Sequence, residues 1–431
     1  MAKNANNKVS IWQSLHNAWK VQDIRKKLIY TFFMLILFRL VGVIPAPGVD
    51  YVRVKSAMSG SNLPLLDLVN MMTGSNFSNM TIMAMGITPY INSSIIMQLL
   101  TIAIPALERL SKSGPDGQKK IASITRYVTV VLAVIQAIGL VYSLGYIKSG
   151  WFNTVLVGVS MAAGTALAMW IGERITANGL GNGVSLLIFA GIISNLFNGF
   201  TSLIANAFSA TSLTPWLTLL AVLLFALVMI VVVTFVDMGI RRIQVQYAKR
   251  VTGRKMYGGQ SSILPLKVCS VGVMPLIFAY SFMAFPSTLI QLFGGSESGL
   301  GLWWSRYMNY YSPLYMIVTA LLIIAFTYFY TSISFQPDEM AKNIQQQGGV
   351  IPHVRPGKPT ADFLARTNNR LTLFAALFLA VLATLPNLFT VGLQTSVPFA
   401  ASSLLIAVSV VLETKRQLDD LLVSRNYDTL T

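Results

Sequence analysis

PWLTLLAVLLFALVMIVVVTFV, residues 215–236, runs 22 residues without a charged side chain. At about 1.5 Å of rise per residue, a helix of this length reaches the roughly 30 Å depth of a bilayer's hydrocarbon core. The stretch reads as a membrane span. The same test applied outward marks ten spans, near 28–46, 78–104, 122–146, 152–171, 183–207, 215–236, 264–292, 313–334, 371–390 and 395–413. Composition agrees: 54% of the 431 residues are apolar and 11% charged, with mean hydropathy +0.62, whereas a soluble domain is about a quarter charged. This balance argues against an ordinary water-soluble enzyme. A single cysteine, Cys269, excludes an intrachain disulfide, and His16 and His353, the only histidines, cannot build a Cys/His metal cluster. Carboxylate-only metal sites stay open at this point; no metal, cofactor or catalytic residue is otherwise expected.

The charge balance is 32 Lys and Arg against 15 acids. Counted by alternate loops, 27 of the basic residues fall on the side holding both termini, Arg53, Lys55, Lys148 and Arg306 fall on the other, and Arg39 lies inside the first span. The positive-inside rule makes both termini cytoplasmic. Ten spans divide into five and five, and because five is odd, structurally repeated halves must be inverted across the membrane. The expected organisation is an N-terminal segment 1–24, a first half 25–207, a second half 208–414 and a tail 415–431. Ile11, Trp12, Leu15, Ala18 and Trp19 recur at helical spacing, which suits a helix on the membrane surface or docked on the protein's own loops, and nothing near the start has a cleavable signal layout.

Two long loops, 237–263 and 335–370, carry most of the water-exposed mass. The first holds Arg241, Arg242, Lys249, Arg250, Arg254 and Lys255, and its RRIQVQYAK stretch (241–249) alternates like a strand or hairpin arm. In the second, IPHVRPGKPT (351–360) predicts a rigid turn projecting Arg355 and Lys358. Topogenic charge explains the sign of these loops but not their length, so they read as docking surfaces for an acidic partner: RNA phosphate, an acidic protein face or anionic lipid.

The spans themselves are nearly free of ionisable groups, where a pump or coupled carrier keeps them for function. Arg39, about two helical turns from its span end, is expected to snorkel. Glu173, Arg174 and Asp237 are expected to cap or anchor helix ends. Ser93 and Ser94 have no base in a neighbouring span, which makes them packing or lining serines. GLGNGVS (179–185) lacks the strand before and the Lys-Ser/Thr after that a P-loop needs, and reads as a tight turn.

Several spans are interrupted: Gly86 and Pro89 in the second, Gly181 and Gly183 opening the fifth, Pro275 and Pro286 in the seventh. Broken helices tend to surround a cavity. Isoleucines stand beside these breaks, Ile87 with Ile91 and Ile188 with Ile192, each pair one turn apart on one helix face. Taken alone they are equally ordinary packing or lipid-facing residues.

GITPYINSSIIMQLL (86–100), GLGNGVSLLIFAGI (179–192), YAKR with GQSSILPLKV (247–268) and VRPGKPTADFL (354–364) resemble the bacterial SecY family, the large subunit of the Sec protein translocon. The resemblance covers nearly the whole chain. It implies an all-α polytopic membrane protein of ten transmembrane helices, in two inverted five-helix halves around a central hourglass pore, that conducts secretory polypeptides and is no enzyme. It places the pore ring on Ile87, Ile91, Ile188, Ile192, Ile277 and Ile406. It places the plug at about 62–78, with Asn70, Met71, Met72, Thr73, Gly74, Ser75, Asn76 and Phe77 at its centre. The lateral gate falls between spans two and three on one side and seven and eight on the other. Docking tips fall on Arg254, Lys255 and Arg355, alongside Arg250 and Lys358. Lys255 stands where many members carry arginine, which weakens a bidentate phosphate contact. Implied partners are the SecE and SecG subunits, the SecA ATPase, the ribosome, and secretory preproteins with their signal sequences. The implied location is the cytoplasmic (inner) membrane. Two rival classes are a secondary transporter, which needs convergent polar groups at mid-membrane, and a membrane-embedded transferase, which needs paired acids or a basic catalytic residue in a span.

Overall fold

The computed structural model describes residues 19–49, 76, 79–143, 151–209, 214–247, 250–252, 255–257, 261–270, 272, 274–293, 299–308, 312–393 and 401–428. In chain order its helices are α1 Gln22–Val41, α2 Thr88–Ala103, α3 Pro105–Lys112, α4 Pro115–Ser143, α5 Trp151–Asn178, α6 Gly183–Ser209, α7 Thr214–Asp237, α8 Met274–Phe293, α9 Gly299–Tyr307, α10 Pro313–Ser334, α11 Pro337–Gln346, α12 Lys358–Leu393 and α13 Ala401–Asp428. The strands are β1 Ile240–Tyr247, β2 Arg250–Thr252, β3 Lys255–Tyr257, β4 Ser261–Lys267 and β5 Gly349–Val350. By length and apolar character, six stretches among the described residues can cross a membrane: Pro115–Gly139, Trp151–Asn178, Gly183–Ser209, Pro215–Asp237, Pro313–Gln346 and Lys358–Leu385. The pair α2 and α3 meets the standard as one span bent by 101°. The expected segments at 28–46, 264–292 and 395–413 overlap α1, α8 and α13, which fall short of that standard over their described residues; α1 carries Arg25, Lys26, Lys27 and Arg39.

The second span differs from expectation in a telling way. Its helix begins at Thr88, with Pro89 in the first turn, and not at 78. Residues 79–87 form turns that bury Met80, Met83, Ala84 and Met85, and Met80 and Gly86 adopt positive φ of 42° and 53°. Irregular backbone at membrane depth survives only where protein covers it and its polar groups find partners. Both conditions hold here. Ala46 N donates to Met80 O at 3.0 Å and Ile82 N to Ile44 O at 2.9 Å. Gly164 of α5 presents no side chain to this stretch, and a Cβ there would lie 2.1 Å from the Ile82 carbonyl.

The seventh span also starts later than expected, at Met274 and not 264. The apolar residues of SSILPLK belong to β4, which pairs antiparallel with β1 from Ile240↔Lys267 to Gln246↔Ser261. β5 joins the other edge of β1 through Gln246↔Val350 and Tyr247↔Gly349. The strand expected at 241–249 is thus the centre of a three-stranded sheet, order β4-β1-β5, built from both long loops. Ile243, Val245, Leu266, Ile344, Ile351 and Leu364 form its own apolar core. The loops expected at 237–263 and 335–370 are one body.

The helices around it enclose a larger apolar core. α8 packs on α2, α4 and α10, while α13 packs on α6 and α7.

Candidate functional site: an isoleucine cluster beside a polar cavity

Ile87 lies at the N-cap position of α2 and Ile91 one turn into it, with Ile91 N donating to Ile87 O at 3.0 Å. Ile188 and Ile192 lie on α6, Ile277 in the first turn of α8 and Ile406 on α13. All six are between 1% and 6% exposed, and all belong to the single large core cluster. None faces outward.

A cavity of about 690 Å³ opens beside them. It is lined by Ile91, Ile188 and Ile277 but not by Ile87, Ile192 or Ile406. The rest of its wall is amphipathic, with Tyr90, Ser94, Gln98, Arg126, Trp170, Glu173, Arg174 and Asn182. Arg126 Nε meets Glu173 Oε1 at 2.8 Å, and the Arg174 guanidinium stacks 5.5 Å from the Trp170 ring centre. The cavity thus has a polar, charged wall on one side and isoleucine on another. Glu173 and Arg174, expected to cap or anchor helix ends, stand in this wall, where Glu173 ties α5 to Arg126 of α4. Arg126 and Glu173 are 47 residues apart, and no local pattern in the sequence links them.

The GLGNGVS turn uses its polar groups internally. Asn182 Oδ1 accepts from Val184 N at 3.1 Å and Ser185 N at 3.4 Å, capping α6. Gly183 N donates to Thr176 Oγ1 at 2.9 Å, Leu180 N to Thr31 Oγ1 at 3.0 Å, and Gly181 takes φ 83°. It is a tight turn, as expected. Ser93 is fully buried and donates to the Thr125 carbonyl of α4 at 2.9 Å, a packing serine, while Ser94 lines the cavity.

Arg39, expected to snorkel, donates through Nη2 to the main-chain carbonyl of Ala190 in α6. Asp237, expected to cap or anchor its helix end, ties the end of α7 to α13 by pairing with Arg416 at 3.0 Å.

Of the plug residues, only Asn76 is among those described; Asn70, Met71, Met72, Thr73, Gly74, Ser75 and Phe77 lie outside them. Asn76 is buried, and its carbonyl accepts from Thr81 N at 3.1 Å. It sits against Gly42 at the end of α1, where a Cβ would come within 2.9 Å of Asn76 Oδ1. Arg355 and Lys358 are exposed, around a turn with positive φ at His353 (64°) and Gly357 (94°) that is tied by Thr360 Oγ1 donating to Arg355 O at 2.8 Å. Arg250 and Lys255 lie on the β2–β3 pair, and Arg254 lies outside the described residues. Among the described residues no group of His, Cys, Asp and Glu could hold a metal ion.

Membrane-long apolar helices, a buried irregular segment and a large interior core define a multi-pass helical membrane protein. The SecY family model matches residues 81–415. A protein translocase subunit SecY of Streptomyces scabiei is 41% identical over 95% of this chain and 98% of its own. Among solved structures, one concerning the plug domain of SecY, the closed state of the translocation channel and the membrane seal aligns with TM-score 0.67 at 20% identity, over 92% of each chain. Sec61 in the canine ribosome-channel complex from the endoplasmic reticulum aligns with TM-score 0.64 at 17% identity, also over 92% of each. The chain belongs to the SecY family, a family of protein-translocation channels.

Proposed function

We propose that this chain is the channel subunit through which unfolded secretory polypeptides cross the cytoplasmic membrane, and from which apolar segments leave sideways into lipid. The observation that carries the reading is the burial of all six ring isoleucines in one cluster beside a polar-walled cavity. An extended chain dragged through hydrocarbon exposes peptide groups that each cost several kcal/mol. It needs water on either side of a short dry throat. Ile87, Ile91, Ile188, Ile192, Ile277 and Ile406 form that throat: they carry no charge and no hydrogen-bonding group, dewet when empty, and close around any passing sequence.

On this reading ten spans form two inverted halves with both termini cytoplasmic, and segment 62–78 plugs the outer funnel at rest. The packing of α8 against α2 and α4 supports a gate seam there, which a signal sequence would part. A released segment moves to lipid when it is apolar enough to be more stable there. On this reading the driving force comes from a partner on the basic loops, the SecA ATPase or a ribosome, with SecE and SecG completing the complex and anionic lipid around it. The likeness to a ribosome-bound channel supports the loop reading.

Reconstitution with SecA and the two small subunits tests this. ATP-dependent protection of a preprotein inside vesicles is the expected result. Counterflow of a small solute without preprotein transport would favour a secondary carrier instead.

A further inference from the structure

Arg39 is the one basic residue that the charge count places inside a span, and its partner is a main-chain carbonyl 151 residues away. That carbonyl belongs to Ala190, which lies between the ring positions Ile188 and Ile192 on α6. A helical carbonyl has two lone pairs and the helix ladder uses one, so the guanidinium can take the other without opening the helix. A second tie joins the same two helices: Thr31 of α1 accepts from Leu180 N, in the turn that starts α6. Thr31 and Arg39 are eight residues apart on α1, about 12 Å along its axis. Two ties at that spacing hold α6 against both sliding and tilting relative to α1. Elsewhere α1 packs through buried Met34 and Phe38 and leaves Ile29, Phe32, Phe33, Ile36 and Leu40 exposed, so these two hydrogen bonds are directional ties added to apolar packing.

We propose that Arg39 is a positioning residue for the seal: by fixing α6 against α1 it holds Ile188 and Ile192 at the depth where they meet the other four isoleucines. The proposal rests on the channel reading above. The Arg39 side chain itself is not part of the throat. Its effect on conduction passes through α6. A charge-assisted hydrogen bond in a poorly solvated place is strong, and no water can replace the lost donor cheaply. Losing it frees the upper part of α6 to shift, and an apolar throat opened by even one water diameter wets and conducts.

The test uses the complete reconstituted complex in planar bilayers, with Arg39→Gln, Arg39→Lys and Arg416→Ala compared with wild type. Arg39→Gln should raise resting ion conductance roughly tenfold or more, the scale of one charge-assisted hydrogen bond, and should let preproteins with weakened signals through. Arg39→Lys keeps one donor but not the fork and should fall between. Arg416→Ala, which breaks a tie remote from the ring, should keep the resting seal. Wild-type conductance and signal stringency in Arg39→Gln would overturn the proposal, and so would an equal leak in Arg416→Ala, which would mean that general loosening suffices. If wild type itself moves no preprotein, the channel reading has failed and not this inference.

Discussion

The Arg416 guanidinium donates to the main-chain carbonyl of Asp237 at 2.5 Å and to its carboxylate at 3.0 Å, joining the last residue of α7 to α13 across 179 residues of chain. One side chain thus satisfies a helix-end carbonyl and neutralises a buried acid. Removing Arg416 leaves a carboxylate with little solvent, no direct ion-pair partner and only the charge of Lys267 acting on it. Because the Arg416 side chain is 32% exposed, the cost should be about 1–3 kcal/mol, below the full figure for a buried pair. Arg416→Ala should lower the thermal midpoint of the solubilised protein more than Asp237→Asn does, and the double variant should recover part of the loss. Equal midpoints in wild type and Arg416→Ala would sink this.

Cys269 lies between β4 and α8, buried, and its thiol is pushed up to about 11, first by burial and then by the Asp237 carboxylate. A raised thiol pKa means less thiolate at neutral pH. Against an ordinary thiol near 8.5, the reactive fraction at pH 7.5 is about 300-fold smaller. Maleimide labelling of the folded protein should be slow at pH 7.5 and accelerate through pH 9–10, whereas the detergent-denatured chain should label at once. Rapid labelling of the folded protein at pH 7.5 would show the thiol to be accessible and ordinary.

Gly164→Ala places a methyl 2.1 Å from the Ile82 carbonyl, a backbone atom that cannot swing aside. The variant should accumulate poorly or unfold at markedly lower temperature, and it should disturb the turn segment that precedes Ile87. Gly299→Ala, with nothing within 4 Å, is the matched control and should be neutral. Similar behaviour of the two variants would mean that the segment 79–87 does not press on α5.

The loop body separates stability from docking. Val245 is 2% exposed in the sheet core, and Val245→Asp buries a charge there. It should make both loops sensitive to protease. Arg355→Glu, at an exposed turn, should leave protease resistance unchanged and weaken binding of SecA or ribosomes. Unaltered docking of Arg355→Glu would remove that turn from the interface.

Much of this molecule was legible in the chain because spanning helices announce themselves by unbroken apolar composition, as in 215–236, and because Asn182 with its flanking glycines marks a helix start. The strand alternation at 241–249 was equally plain. Composition misled where burial and periodicity diverge. Met80, Met83 and Met85 are as apolar as a helix requires, yet they pack as turns against 44–46 and α5. Leu264 and Leu266 are apolar because they belong to a sheet with its own core. The partners of Arg39, Arg126 and Asp237 lie 151, 47 and 179 residues away, and no local pattern encodes such distances. The grouping of Ile277 and Ile406 with the other four came from family resemblance, since single isoleucines carry no signal of their own.

The most direct test is photo-crosslinking of a stalled preprotein in the reconstituted complex, with the crosslinker placed in turn at Ile192, Ile277 and Ile406 and, for comparison, at the exposed Phe197 and Leu224. Strong adducts from the three buried positions and none from the outer two are expected. Adducts from Phe197 and Leu224 alone, or equal yields from all five, would mean that the polypeptide does not travel past those isoleucines.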